Sequence, residues 1–119
     1  MRAGALLIFD VWYGPAVLHE RPSERARVIA VADGKILRFA SGKLDVSRHL
    51  CSVQINLWRI SGERLLLETT HLMRFFFPLE LNFFLESAGF TSIRFGTFPE
   101  FDKDPDETTW NVLAVARAV

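Results

Sequence analysis

Six side chains are of types suited to recognising a small polar molecule or exchanging a proton with it. They are Asp10, Trp12 and Tyr13 near the amino terminus, and Glu68, His71 and Arg74 in the middle of the chain. Histidine is the side-chain type that most often serves as a general base, so His71 is the best candidate for that role. Asp10 suits acceptance of a hydrogen bond from an amine or hydroxyl, and the two aromatic rings suit contact with a ligand face.

Each of these assignments has a structural alternative that the sequence leaves open. Asp10 would cap the following turn while the two aromatic rings pack the strand end, and His71 would be a hydrogen-bonded core residue. Glu68 and Arg74 would form a structural ion pair instead of holding a charged substrate group. In a strand without a bulge these two lie on the face opposite His71, so the three side chains do not converge on one substrate.

Composition limits the classes of protein and partner. The chain has 119 residues, half of them hydrophobic, which predicts one compact unit. Its 14 basic and 14 acidic side chains cancel, so we expect neither nucleic acid nor a membrane as partner. Cys51 is the only cysteine, which excludes an internal disulfide and fits a reducing cytoplasm. It lies in an alternating apolar run typical of an inert, buried thiol, and no metal site is expected because the histidines lack metal-ligand spacing.

The two ends of the chain have the pattern of an α/β sheet. Residues 5–11 form a continuous apolar run, which predicts a strand covered on both faces. A helical turn is expected at 16–19. A helix begins at Pro78 and ends at Gly89, where the residue types suit its first turn and its cap. Two more strands, 91–98 and 110–118, follow.

The middle of the chain has the pattern of two antiparallel hairpins. The first turns through Asp33-Gly34 and joins residues 26–31 to 35–40, and the second turns through Ser61-Gly62 and joins 49–60 to 64–75. In the second hairpin Ser52, Gln54 and Asn56 share one face, and apolar residues share the other. This polar face suits ligand binding beside a cleft, or else it is simply solvated.

Four segments, in order, resemble class I S-adenosylmethionine-dependent methyltransferases, particularly small-molecule and sugar N-methyltransferases. Residues 3–15 are similar to the segment at the fifth strand of that family, which ends in Asp-X-Trp-Tyr-Gly-Pro. Residues 68–76 are similar to a Glu-X-X-His-X-Met-Arg-aromatic stretch. Residues 85–90 match a phrase ending in Ala-Gly-Phe that closes the last helix, and residues 110–112 resemble the start of the final strand.

The resemblance implies an α+β fold class: a partial Rossmann-like sheet built from family strands 5, 7 and 6, an antiparallel β insertion and one main helix. The whole chain, 1–119, would be a single C-terminal fragment. Residues 15–77 would be the substrate-side insertion, and 1–14 with 78–119 the sheet remnant. Asp10, Trp12 and Tyr13 would face the reaction cleft beyond the carboxyl end of their strand.

The resemblance also implies what is missing. The family holds S-adenosylmethionine with a glycine-rich turn after its first strand, and this sequence contains no G-x-G motif. We therefore expect the cofactor in the full-length enzyme and none bound to this chain, which alone would be inactive. Two hypotheses remain: the substrate-side part of a small-molecule methyltransferase whose cofactor half is encoded upstream, lost or removed, or a non-catalytic binding or dimerisation module derived from such an enzyme.

A partner is expected at the first strand. In the family this strand pairs with the fourth strand, so residues 5–11 would have an unmatched hydrogen-bonding edge. We predict a homodimer, formed across that edge or by exchange of hairpins between two chains.

Overall fold

The computed structural model describes residues 2–119. It contains, in chain order, β1 (Leu6–Tyr13), α1 (Gly14–His19), β2 (Arg25–Val31), β3 (Gly34–Asp45), a 3₁₀ turn (Val46–Arg48), β4 (Leu50–Arg59), β5 (Arg64–Phe76), α2 (Pro78–Ser87), β6 (Phe90–Thr97) and β7 (Asn111–Ala118). The chain divides into two compact units, where its length alone predicts one. The first unit comprises the residues up to Arg21 together with Phe75–Val119, and the second comprises Pro22–Arg74.

In the first unit β7 lies between β1 and β6 and is antiparallel to both. At its carboxyl end β1 also pairs in parallel with the end of β5, where Trp12 is opposite Phe75 and Tyr13 is opposite Phe76. The predicted side-by-side order of family strands 5, 7 and 6 is therefore confirmed. The α+β class, with an antiparallel sheet in the middle of the chain and one main helix, is confirmed as well.

Among the described residues, every buried hydrophobic side chain except that of Cys51 belongs to the first unit. Alternate residues of β7, from Val112 to Ala118, are buried on one face of the sheet. Also buried are Ala16, Val17, Phe75, Leu81 and Leu85. Each buried Val, Leu or Phe side chain contributes about 1.5–3 kcal/mol relative to an exposed one.

One face of β1 is exposed to solvent. Leu6 is 50% exposed and Ile8 is 58% exposed, so the expectation that this strand is covered on both faces is wrong. The apolar run is continuous, but within residues 2–119 burial reaches only alternate positions such as Leu7 and Phe9, which are half-buried. A continuous apolar run indicates that both faces of the strand are apolar. It does not show that this chain contains residues that cover the second face.

α2 begins at Pro78 as the sequence predicts and ends at Ser87 with Ala88 as its C-cap, one residue before the predicted cap Gly89. Pro78 stands in its first turn, and the Phe77 amide donates to Glu80 Oε1 at 3.2 Å. Gly89 follows the helix with a φ of +91°, a conformation that glycine adopts without strain.

No helix within the described part of the chain is long and apolar enough to cross a membrane.

The second unit is an antiparallel sheet in the order β2, β3, β4, β5. Both predicted hairpins are confirmed, but β3 extends to Asp45, five residues beyond the expected end at Ala40. The Asp45 carboxylate accepts hydrogen bonds from Ser47 Oγ at 2.9 Å and from the Arg48 amide at 3.3 Å. These bonds stabilise the turn into β4, so β3 and β4 form a third hairpin.

Candidate functional site

A polar groove runs across one face of the second unit. Ser41, Gln54 and Thr70 lie opposite one another on β3, β4 and β5, and Lys43 and Ser52 form the next row. Residues that are directly opposite share a face and lie about 4.5–5.5 Å apart at Cβ. Together with Glu24, which precedes β2, these side chains line an open groove of about 460 Å³.

One side chain of the groove is fixed by its neighbour. Gln54 Nε2 donates a hydrogen bond to Glu68 Oε1 at 3.1 Å. A carboxylate only accepts, so the amide nitrogen of Gln54 must face Glu68 and its carbonyl oxygen turns away. In residues 2–119, the hydroxyls of Ser41 and Ser52 and the Lys43 ammonium form no side-chain hydrogen bond or ion pair with the protein. Their hydrogen-bonding capacity is open to water or to a ligand.

Asn56 lies on the same face, in the row next to Gln54 and opposite Glu68. Its Oδ1 is buried and has no hydrogen-bond partner among the described residues. Burying an acceptor without a donor costs about 1–3 kcal/mol. This end of the polar face therefore carries a local destabilisation, whereas the Gln54 end is satisfied.

The structure separates His71 from Glu68 and Arg74. The pairing of β4 with β5 is regular from Leu67 to Arg74, which puts His71 opposite Val53 on the face away from the groove. The geometric expectation that the three do not converge is correct. Because His71 is exposed, its alternative role as a core residue is wrong.

Glu68 and Arg74 do share the groove face, but they are six positions apart on one strand. At about 3.3 Å per residue their Cα atoms are roughly 20 Å apart, beyond the reach of a direct ion pair. The structural pair considered from the sequence is therefore wrong. Glu68 binds Gln54 instead.

A second cluster lies at the carboxyl end of β1, within the first unit. The Trp12 and Trp110 rings are in edge contact, with centroids 5.2 Å apart at 62°. Trp110 Nε1 donates to the Glu20 carbonyl at 3.1 Å, and the Tyr13 amide donates to the Trp110 carbonyl at 2.7 Å. Trp12 thus packs the strand end, as the structural alternative expects.

Asp10 lies on the same face of β1 as Trp12 and is exposed. Within residues 2–119 its carboxylate forms no hydrogen bond or ion pair with the protein. Its alternative role as the cap of the following turn is therefore wrong.

The acidic loop before β7 reaches this cluster. Burial raises the pKa of Tyr13, and the nearby Asp106 carboxylate raises it further. Hydrogen bonds from the Thr108 side chain and backbone, at 2.7 and 2.8 Å, hold the pKa of Asp106 below its usual range. His19 Nδ1 lies 3.1 Å from Glu107 Oε2, which joins α1 to the same loop. Tyr13 therefore keeps its proton at neutral pH and can act only as a neutral hydrogen-bonding group.

The single cysteine is buried, and the part of the chain that the structure describes contains no cluster of three metal-ligating side chains. Cys51 is fully buried, and that burial raises the pKa of its thiol, which suppresses the thiolate. No group of three or more His, Cys, Asp or Glu side chains in residues 2–119 is arranged to hold a metal ion.

Sequence reasoning found the polar face of β4 but missed the groove around it. Ser41 and Lys43 lie beyond the predicted end of β3, and Thr70 was not distinguished from its neighbours. The alternation of polar residues through Ser41, Lys43 and Asp45 was the signal available. Only the pairing register shows that these residues and Ser52 form adjacent rows.

No protein-family model and no curated relative matches this chain. Two solved structures share its fold. An S-adenosylmethionine-dependent methyltransferase from Clostridium acetobutylicum superposes with a TM-score of 0.73 at 13% identity, over 98% of this chain and 46% of that one. The CcbJ methyltransferase from Streptomyces caelestis superposes with a TM-score of 0.70 at 14% identity, over 100% of this chain and 45% of that one. At these identities the likeness shows the fold alone, and the chain spans about half the length of either protein.

Proposed function

We propose that this chain is the C-terminal, substrate-side part of an S-adenosylmethionine-dependent methyltransferase that acts on a small molecule. The observation that carries the proposal is the coverage: nearly all of this chain matches less than half of two methyltransferases. The segments that resemble the fifth, sixth and seventh family strands form β1, β6 and β7, in the expected sheet order.

The open side of β1 supports this assignment. Within residues 2–119, Leu6 to Val11 pair only with β7, and the opposite edge of that segment has no strand. Leu6 and Ile8 are at least half exposed beside this edge. In the family that the sequence resembles, the fourth strand, which belongs to the cofactor half, pairs along this edge.

The residues of this chain do not fit the cofactor. S-adenosylmethionine needs a strand-to-helix turn whose backbone is open to the ligand. Among the described residues, glycine starts a helix directly after a strand only at Gly14, and the space beside it is filled: a Cβ there would lie 2.6 Å from Phe77 Cε2. We assign cofactor binding to the other half of the full-length enzyme.

Within this proposal, each of the two units carries its own set of candidate substrate-binding residues. Asp10, Trp12 and Tyr13 contact the substrate at the carboxyl end of β1, with the Asp10 carboxylate as acceptor and the protonated Tyr13 hydroxyl as donor. Glu68 and Arg74 are candidates for binding polar groups on the groove face, and His71, on the opposite face of β5, is the candidate base for a substrate bound on that side. The exposure of Asp10 and His71 supports these roles, because neither side chain is committed to the core.

We also propose that the chain works in the cytoplasm. We further propose that it forms a homodimer when the cofactor half of the enzyme does not pair with the free edge of β1. The buried single thiol agrees with a reducing compartment. The unpaired edge with exposed apolar side chains on its flank supports self-association.

Titration calorimetry tests the assignment of the cofactor. We expect no heat of binding when S-adenosylmethionine is added to this chain. Micromolar binding by residues 1–119 alone would overturn the proposal, because the cofactor would then have a site here.

The reading frame upstream of Met1 separates the enzyme from a non-catalytic module. An apolar strand followed by a glycine-rich turn is expected there, and the product that includes it should bind S-adenosylmethionine. A frame that encodes no such turn would favour the module instead.

A further inference from the structure

The polar groove of the second unit carries one cationic and one anionic side chain that do not pair with each other. Lys43 stands in the row of Ser52, and Glu24, the residue before β2, also lines the groove. Among residues 2–119, neither forms an ion pair within 4.0 Å. Arg25 is opposite Ala40, so Glu24 comes next to Ser41, at the end of the uncharged row of Ser41, Gln54 and Thr70, and Lys43 lies in the adjacent row.

We infer that this groove binds a small zwitterion of the amino-acid class, with its carboxylate at Lys43 and its ammonium group at Glu24. The hydroxyls of Ser41, Ser52 and Thr70 donate or accept between these ends. The inference deepens the proposed function, since it names the substrate class, and it rests on that function only for the ligand's role as methyl acceptor.

Gln54 helps to make the two ends of the groove chemically different. Its amide nitrogen is held by Glu68 at 3.1 Å, so its carbonyl oxygen is the atom available to a ligand. That oxygen accepts from an ammonium group and repels a carboxylate. Together with Glu24 it forms an acceptor end, whereas Lys43 with the Ser52 hydroxyl forms a donor end.

Other ligand classes match this lining less well. A ligand with several negative charges meets one lysine and the repulsion of Glu24. A plain amine leaves Lys43 without a partner, and a plain carboxylate leaves Glu24 without one. A neutral polyol satisfies the hydroxyls but gains nothing from the two charges. Only a ligand with both charges satisfies both ends.

Four small probes of similar size separate these classes. Amide chemical shifts of the ¹⁵N-labelled chain would be followed during titration with L-serine, lactate, ethanolamine and glycerol in separate samples at constant ionic strength. We expect saturable shifts with L-serine around Ser52, Gln54 and Thr70, and weaker binding by at least about fivefold for each of the other three. The inference is overturned by equal affinity for glycerol, by tighter binding of either singly charged probe, or by no saturable shift with any probe.

Charge-removing variants with matched controls locate the site. Lys43→Met and Glu24→Gln should each weaken L-serine binding about fivefold. Lys35→Met and Glu86→Gln remove the same charges from exposed positions outside the groove and should leave it unchanged. Equal effects of the groove and control variants would contradict the assignment. Because the experiment uses no S-adenosylmethionine, a negative result would contradict only the ligand inference and would not contradict the methyltransferase proposal.

Discussion

The ring of Phe77 fills the space into which a side chain at position 14 would project. A Cβ built on Gly14 would lie 2.6 Å from Phe77 Cε2 and 2.7 Å from its Cζ. Gly14 is the first residue of α1, and helix propensity favours alanine over glycine, by at most the roughly 1 kcal/mol found in helix interiors. Packing and propensity therefore predict opposite effects of one substitution.

We expect packing to dominate, so Gly14→Ala should lower the free energy of unfolding by about 1–3 kcal/mol in urea titrations. Because the obstacle is a side chain, the cost should shrink when Phe77→Leu is already present. A double-mutant cycle measures this coupling. Strictly additive effects, or a Gly14→Ala variant as stable as the wild type, would show that the ring moves aside freely.

Asn56 offers a stabilising substitution. Asn56→Val removes a buried acceptor that has no donor and adds a β-branched residue to a strand, so it should raise the free energy of unfolding by about 1 kcal/mol. Asn111→Val, at an exposed position of β7, gains only the strand preference and should change stability less. Equal gains in thermal unfolding would rule out the buried oxygen as the cause.

Cys51 links stability to alkaline pH. Burial raises the pKa of its thiol above the usual range in the folded chain, so the folded state favours the protonated form. The contribution of the thiol to stability is fully present below about pH 8.5, the pKa of a cysteine in an unfolded chain, and is lost as the pH rises through the raised folded-state pKa. We expect Cys51→Ala to be less stable at neutral pH but to lose less stability between about pH 8 and about pH 10 than the wild type.

Met73 provides the control for this pH series, because it lies opposite Cys51 and does not titrate. Met73→Ala changes the same packing and should keep the wild-type slope of unfolding free energy against pH. If Cys51→Ala also keeps that slope, the thiol does not contribute.

Ile8 tests the proposed homodimer. It is 58% exposed on the open face of β1, beside the unpaired edge. Ile8→Lys should shift sedimentation of the micromolar protein from dimer to monomer, since a charge on that face opposes self-association. Leu79→Lys, at a position of α2 that is 81% exposed, should leave the dimer intact. A wild-type chain that sediments as a monodisperse monomer would end the homodimer proposal.

The sequence predicted the bounds of strands and helices well where turn-forming or helix-capping residues determine them. Asp33-Gly34 and Ser61-Gly62 located two hairpins, and Pro78 and Gly89 located both ends of α2. The extension of β3 through Ser41-Gly42-Lys43 was not predictable from residue preference, because glycine and lysine are poor strand formers. Its pairing with β4, which Asp45 and its turn stabilise, keeps that segment extended.

The sequence did not show which strand faces are covered or how strands that are distant along the chain align with one another. The run from Leu6 to Phe9 indicates two apolar faces, but it cannot say whether the same chain covers both. In the same way, the polar residues of β4 predicted a polar face, while the positions of Lys43 and Thr70 beside it depend on pairing with strands far along the chain. His71 was placed on the correct face because strand alternation alone decides that point.

The edge contact between Trp12 and Trp110 gives the first unit an optical label of its own. Two indoles 5.2 Å apart couple their electronic transitions, whereas Trp58 lies on β4 of the second unit, without a tryptophan neighbour on that strand. Circular dichroism from the coupled pair therefore follows the first unit alone, whereas total fluorescence, to which Trp58 contributes, follows both units. Coincident unfolding curves from the two signals would identify one cooperative transition, and separate curves would resolve two, without any dye or added reporter.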